Sequence, residues 1–277
     1  MLTTLRDLVR ETFAWRRQVG SLAIITLRKQ TSNTALGWAW IVIKPLVYII
    51  CFWFALYIGL RGGSSDMTSA QYLIWLAAGV VPWMFLQSAI QEGSHVFNTL
   101  KYLVNKLKFP VVVIPVFYEL ASLLSHFMLM AIYLLVYFLM GGRPTVQFTE
   151  LLLLFALMYI FAVGWCLMTA PLTAMSKDVK NLIKTLGTPI FWLSGVIFDV
   201  SSISSQLVQT VLLFNPVTFL IEGYRSVLCN GSIVGEGASW MWSDPVFFGC
   251  GVGVIAATFI CGLFVFSRLR ENIPDVL

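Results

Sequence analysis

Long apolar runs separated by short polar stretches set the pattern of this chain. A helix needs about 20 apolar residues to cross the ~30 Å hydrocarbon layer of a bilayer. Five stretches reach that length: 36–60, 72–90, 111–140, 151–175 and 245–266. A sixth, 183–200, is shorter and carries Gly187, Pro189 and Gly195. The third is long enough to tilt or to extend past the membrane. Segment 203–228 could also cross, but Asn215-Pro216 interrupts it, and Glu222 and Arg225 follow. Proline removes a helical hydrogen bond and biases its predecessor away from helix. Two half-helices that enter and return on one side fit this pattern. Broken backbone at membrane depth must be buried in protein or line a wet cavity, so this hairpin belongs beside a pathway. Residues 1–35 differ again: Leu2, Leu5, Val9, Phe13, Leu22, Ile25 and Leu27 are interspersed with Arg and Lys. That suits a helix lying in the membrane interface, with a solvated tail as the alternative. The predicted fold is all-α and integral to the membrane. It has an interface segment over 1–35 and a membrane domain over 36–277, with six spans and a re-entrant extracytoplasmic hairpin between the fifth and sixth.

Composition supports the lipid reading. Hydrophobic residues make up 58% of the 277 positions and charged ones 11%, against about 25% charged in soluble domains. The charge that remains reports topology. Of 18 Lys and Arg, fifteen fall before or near the start of the first span, between spans two and three, between spans four and five, or at the C-terminal end. Only Arg61, Arg143 and Arg225 fall in the opposite set. Positive residues stay inside, which predicts both termini in the cytoplasm. Basic residues this scattered make no groove for nucleic acid. The first 35 residues lack the continuous apolar core of a cleavable signal peptide.

The chemistry-bearing motifs are largely absent. The chain has no Gly-Lys dipeptide, hence no P-loop, and no His-Glu-x-x-His. The five cysteines show no metal-ligand spacing and read as small core residues, with Cys229 as the wet one. An enzyme is therefore not expected, nor any cofactor bound by this chain. If the protein does work against a gradient, the energy has to come from a partner or an ion. Inside the apolar runs, Glu119, Ser122 and His126 share one helical face, with about 10 Å of rise between the outer two. An intramembrane acid is a functional candidate, so this face is either a proton relay or a hydrogen-bonded contact. Tyr133, Tyr137, Trp165 and Trp192 lie deeper than the interfacial aromatics, either lining a glycan path or packing helices. The segments 97–108, with Lys101, Lys106 and Lys108, and 176–184, with Lys177, Asp178 and Lys180, are short, charged and held between spans. They are either levers for a soluble partner or plain charged connectors.

These residues resemble a family. Ala35–Trp40 with Lys44-Pro45, Gly79–Phe85, Leu107–Pro110 with Pro115, Ser176–Lys180, and Asn215-Pro216 with Glu222 and Arg225 are similar, in order and spacing, to motifs of ABC-2 type permeases. The match is to those that export O-antigen, capsule or teichoic acid. Two departures stand out. The basic-aromatic-basic run before Leu-Gly is here Gln30–Thr34, and the loop arginine is Lys177, which keeps the charge and loses the fork. The resemblance implies a homodimer in the bacterial inner membrane with two copies of a separate ATP-binding subunit, which would hold ATP and magnesium. An undecaprenyl-linked glycan would be the substrate, and Asn215, Pro216, Glu222 and Arg225 would form a gate hairpin. An ABC-2 permease for a lipid or drug, and a membrane-embedded transferase acting on lipid-linked sugars, are the alternatives.

Overall fold

The computed structural model describes residues 2–31, 35–60, 67–106, 109–141, 148–200, 203–229 and 244–276. Among these residues the chain is helical and no strand occurs. Five helical stretches are long and apolar enough to cross a membrane: Gly37–Gly59, Ser69–Thr99, Val111–Leu139, Thr149–Met175 and Pro245–Leu269. These agree with the five long apolar runs.

The N-terminal segment is two helices, α1 (Leu2–Ala14) and α2 (Arg16–Thr31), with a break at Trp15. In α2, Val19, Ala23 and Leu27 recur every fourth residue and are buried against the bundle. In α1, Thr4 and Leu8 are buried, while Leu5, Val9 and Phe13 stay exposed among Arg6 and Arg10. Asp7 Oδ2 meets Arg270 Nη1 at 3.0 Å. The two ends of the chain therefore lie on one face of the bundle.

The first crossing, α3 (Trp40–Trp53), continues as a π-helical stretch over Phe54–Leu60 and is the least covered of the five. The second, α4 (Ser69–Gln91), starts at a capping box in which Thr68 and Gln71 exchange side chain–backbone bonds, satisfying two otherwise orphaned N–H groups. It breaks at Glu92 into a 3-10 turn, Gly93–His95, followed by α5 (Val96–Thr99) and α6 (Lys101–Lys106). The third is α7 (Ile114–Leu139) and the fourth α8 (Phe148–Met175). Cross-packing is closest between α8 and the last long helix. At that crossing a Cβ on Gly164 would lie 2.6 Å from the Phe259 Cα, and a Cβ on Gly262 would strike the Gly164 carbonyl. Small residues let helix backbones approach where lipid offers no hydrophobic drive.

The segment expected as a polar connector is helix. Ser176 alone is extended, and α9 (Lys177–Leu193) begins at the next residue. Val179, Ile183, Gly187 and Phe191 form an inward stripe at four-residue spacing, which carries the charged first turns along as one rod. The expected fifth span, 183–200, is helical only to Leu193. Gly195 then takes φ +67, which suits glycine, and the chain reverses. Next come α10 (Gln206–Leu213) and α11 (Pro216–Cys229), bent 95° to each other where Asn215-Pro216 interrupts them. Asn215 Oδ1 accepts from the Val217 N–H at 3.0 Å, capping α11 behind its N1 proline. Every residue from Val217 to Cys229 is buried. This corrects the expectation for Cys229, which is fully enclosed rather than wet, because α11 is covered along its whole length. The chain closes with α12 (Pro245–Leu269), capped by Asp244, and a short α13 (Ile273–Val276).

Candidate functional site

Two adjoining cavities open along α4. The larger, of about 580 Å³, lies between α3, α4 and α7. Its polar wall is Gln87, Ser88, Gln91, Glu92, Ser122, Ser125 and His126, with Trp40, Lys44 and Tyr48 of α3 on the other side. The smaller, of about 180 Å³, lies between α3, α4 and α9, walled by Phe52, Trp83, Phe191 and Trp192 with Thr188. Tyr48 and Gln87 line both, so the two form one cleft. It runs from a charged end at Lys44 and Glu92 to an aromatic end at Trp192. Gln87 and Gln91 are one helical turn apart, as are Ser88 and Glu92, so a strip of amide, hydroxyl and carboxylate faces the cleft from an otherwise apolar helix. Such a wall offers donors and acceptors at one end and ring faces at the other, the two kinds of surface that a sugar uses.

The expected lining residues separate. His126 and Trp192 stand at the two parts of this cleft, and Ser122 beside His126. The His126 Nε2 is 2.9 Å from the Tyr224 hydroxyl, which ties α7 to α11, and its ring stacks edge-on with Phe155. Glu119 lies elsewhere: it is fully buried against Gly93, at the break after α4. Tyr133 and Tyr137 are buried against Cys229 at the end of α11. Trp165 donates to the Ile90 carbonyl at 3.3 Å.

That bond belongs to a second constellation. The break of α4 at Glu92 interrupts the helical ladder, and backbone carbonyls there need partners in an apolar surround, the Gly93 carbonyl accepting from the Val96 N–H within the 3-10 turn. Side chains of α8 take them: Trp165 takes Ile90, Cys166 takes Gly93 at 3.1 Å, and Thr173 takes Ser94. Ser94 Oγ takes the Gln91 carbonyl at 2.7 Å. In the other direction Asn98 Nδ2 donates to the Thr173 carbonyl at 3.2 Å. Thr173 stands three residues before Ser176. The first charged segment, through Asn98, is thus fastened to α8 three residues before the second begins. Lys101, Lys177, Asp178 and Lys180 are exposed around that junction. The side chain of Lys106 and all of Lys108 lie outside the described residues.

In the hairpin, Glu222 and Arg225 are buried and paired at 3.0 Å. Asn215 Nδ2 donates to Ser194 Oγ at 2.8 Å, and Pro216 opens α11. The sequence did not single out Trp75, Gln87 or Thr173. Gly79 stood in a motif without a role, and a polar strip at helical spacing was the legible signal for Gln87.

The fold defines a class: a multi-pass helical membrane protein with broken helices at its centre. The ABC-2 type transporter model matches residues 17–229, and the chain belongs to that family. It is 21% identical over 260 residues to the O-antigen export system permease protein RfbA of Klebsiella pneumoniae, covering 92% of this chain and 94% of that one. Over 223 residues it is 21% identical to the protein of the same name from Myxococcus xanthus, covering 79% and 83%. The polysialic acid transport protein KpsM of Escherichia coli is 23% identical over 227 residues, covering 80% and 84%.

Proposed function

We propose that this chain is the membrane subunit of an ABC exporter that moves a lipid-linked polysaccharide out of the bacterial cytoplasm. The observation that carries the reading is the cleft, polar at one end and aromatic at the other, in a chain whose matched relatives are named for O-antigen and polysialic acid export. The cleft lies beside α3 and α9. Both helices leave large apolar side chains uncovered, among them Leu46, Val47 and Ile50 on α3 and Leu182, Leu186 and Leu193 on α9. A second copy packed on this side turns two clefts into one enclosed path, and the working unit is a homodimer. The chain itself has no nucleotide-binding loop and acts as a permease without its own ATPase site. Two copies of a separate subunit supply ATP and magnesium.

That subunit docks on the face carrying Lys101, Lys106, Lys108, Lys177, Asp178 and Lys180. Both chain ends share one face through the Asp7–Arg270 pair. With the excess of Lys and Arg, that face is cytoplasmic, and the protein resides in the inner membrane. The bent α10–α11 pair is a re-entrant hairpin on the other side, and the glycan travels on an undecaprenyl carrier.

The test is genetic and biochemical together. In cells lacking this chain, lipid-linked glycan accumulates on the cytoplasmic side, and the tagged chain co-purifies with an ATP-binding subunit. Normal surface glycan in the deletion strain, with no partner recovered, refutes the reading.

A further inference from the structure

The turn after α9 gathers most of its side-chain bonds onto Arg225. The chain turns over residues 194–200, of which Ser194, Gly195, Val196 and Ile197 are buried, and their carbonyls lie outside any helix. Arg225 Nη1 donates to the Gly195 carbonyl at 2.6 Å and to that of Phe198 at 3.2 Å, and Nη2 donates to Val196 at 2.6 Å. Nη1 also meets Glu222 Oε1 at 3.0 Å, which balances the charge within α11 itself. The guanidinium lies 3.7 Å from the centroid of the Trp75 ring on α4. One turn further along α4, Gly79 makes room for it: a Cβ there would lie 2.6 Å from Nη2 and 2.7 Å from the Val196 carbonyl. A planar fork with several donors can serve three carbonyls and an aromatic face at once, and a lysine ammonium cannot. Ser194 and Asn215 add a second tie between the same elements.

We propose that Arg225 is a positioning residue that fastens α11 to the end of α9 and to the middle of α4, so that these three helices move as one block during export. The proposal rests on the exporter reading for its transport readout. Under it, the pathway does not open by the hairpin swinging away from the reversal at 194–200. Opening comes from displacement of the whole block against α3 or against the second copy.

The experiment uses a full-length protein with its five native cysteines replaced and a new pair, Ser194→Cys with Asn215→Cys, expressed with its ATP-binding partner. Oxidation joins the pair in the resting protein, and the oxidised form exports glycan at the rate of the same variant kept reduced. Export that stops on oxidation and returns with reductant shows that the hairpin parts from α9 and overturns the proposal. A pair that does not join under oxidation overturns it as well. A readout without transport runs beside it. Arg225→Lys in the same background slows the joining about tenfold or more at equal membrane abundance, since its charge remains but its fork is lost. An unchanged joining rate would show that Arg225 holds nothing in place. Absence of export from the reduced pair and the parent alike, with joining intact, would count against the exporter reading and leave the fastening by Arg225 standing.

Discussion

Thr173 shows how much a single hydroxyl can carry. Its Oγ1 donates to the Ser94 carbonyl, its own carbonyl accepts from Asn98, and it sits where α8 runs into the charged start of α9. Thr173→Val keeps the shape and removes the hydrogen bond to the buried Ser94 carbonyl, at a cost of about 1–3 kcal/mol. We expect reduced thermal stability in detergent and, at matched protein level, weaker stimulation of the partner's ATPase by substrate. Unaltered coupling in this variant would separate the α4 break from the lever at α9. Gln87 is the corresponding residue in the cleft, since it alone with Tyr48 faces both cavities. Gln87→Leu removes one neutral hydrogen-bonding group, worth roughly 1 kcal/mol or a factor of about five in affinity. Export should saturate at correspondingly higher intracellular glycan, with protein abundance unchanged. Some of this was legible beforehand. Glu222, Arg225 and Asn215 stand out in any reading because polar groups next to a broken helix need partners. Trp165 and Cys166 do not. An aromatic or a thiol in an apolar run gives no sign that its hydrogen bond serves a break 75 residues away for Trp165 and 73 away for Cys166.

Among the elements, the five long spans were readable because length and apolarity alone define them. α9 was only half readable. Its polar residues suggested a connector, whereas its Val179–Ile183–Gly187–Phe191 stripe lets the same residues continue as helix. The interface segment was read from scattered apolar positions as one helix, and its division at Trp15 leaves two short ones, of which α2 packs on α7 and α1 keeps Leu5, Val9 and Phe13 uncovered. The closest helix pair carried no motif. Gly164 and Gly262 lie on separate spans, and only their meeting in space gives them a role. Gly262→Leu places a branched side chain against the Gly164 carbonyl and should cost about 1–3 kcal/mol. The measurement is the melting midpoint of the purified protein. An unshifted midpoint would mean that α8 and α12 do not pack so closely.

For the molecule as a whole, orientation and energy supply are the matters that decide function. The Asp7–Arg270 contact puts Asp7 and Arg270 on one face, which the charge bias predicts to be the cytoplasmic one. On a background without native cysteines, Ser205→Cys should react with an impermeant maleimide in intact cells, and Ser267→Cys only after permeabilisation. Labelling of the latter in intact cells would invert the topology. In the proposed export this chain provides a path for glycan and none of the energy. The direct measurement is transfer of a lipid-linked polysaccharide in proteoliposomes containing the purified chain and its ATP-binding subunit, followed by protection of the glycan from an added glycosidase. Protected glycan should appear only with both subunits and hydrolysable ATP, and should be lost when either subunit or the nucleotide is omitted. Equal protection without this chain, or ATP-driven transfer by this chain alone, would contradict the account.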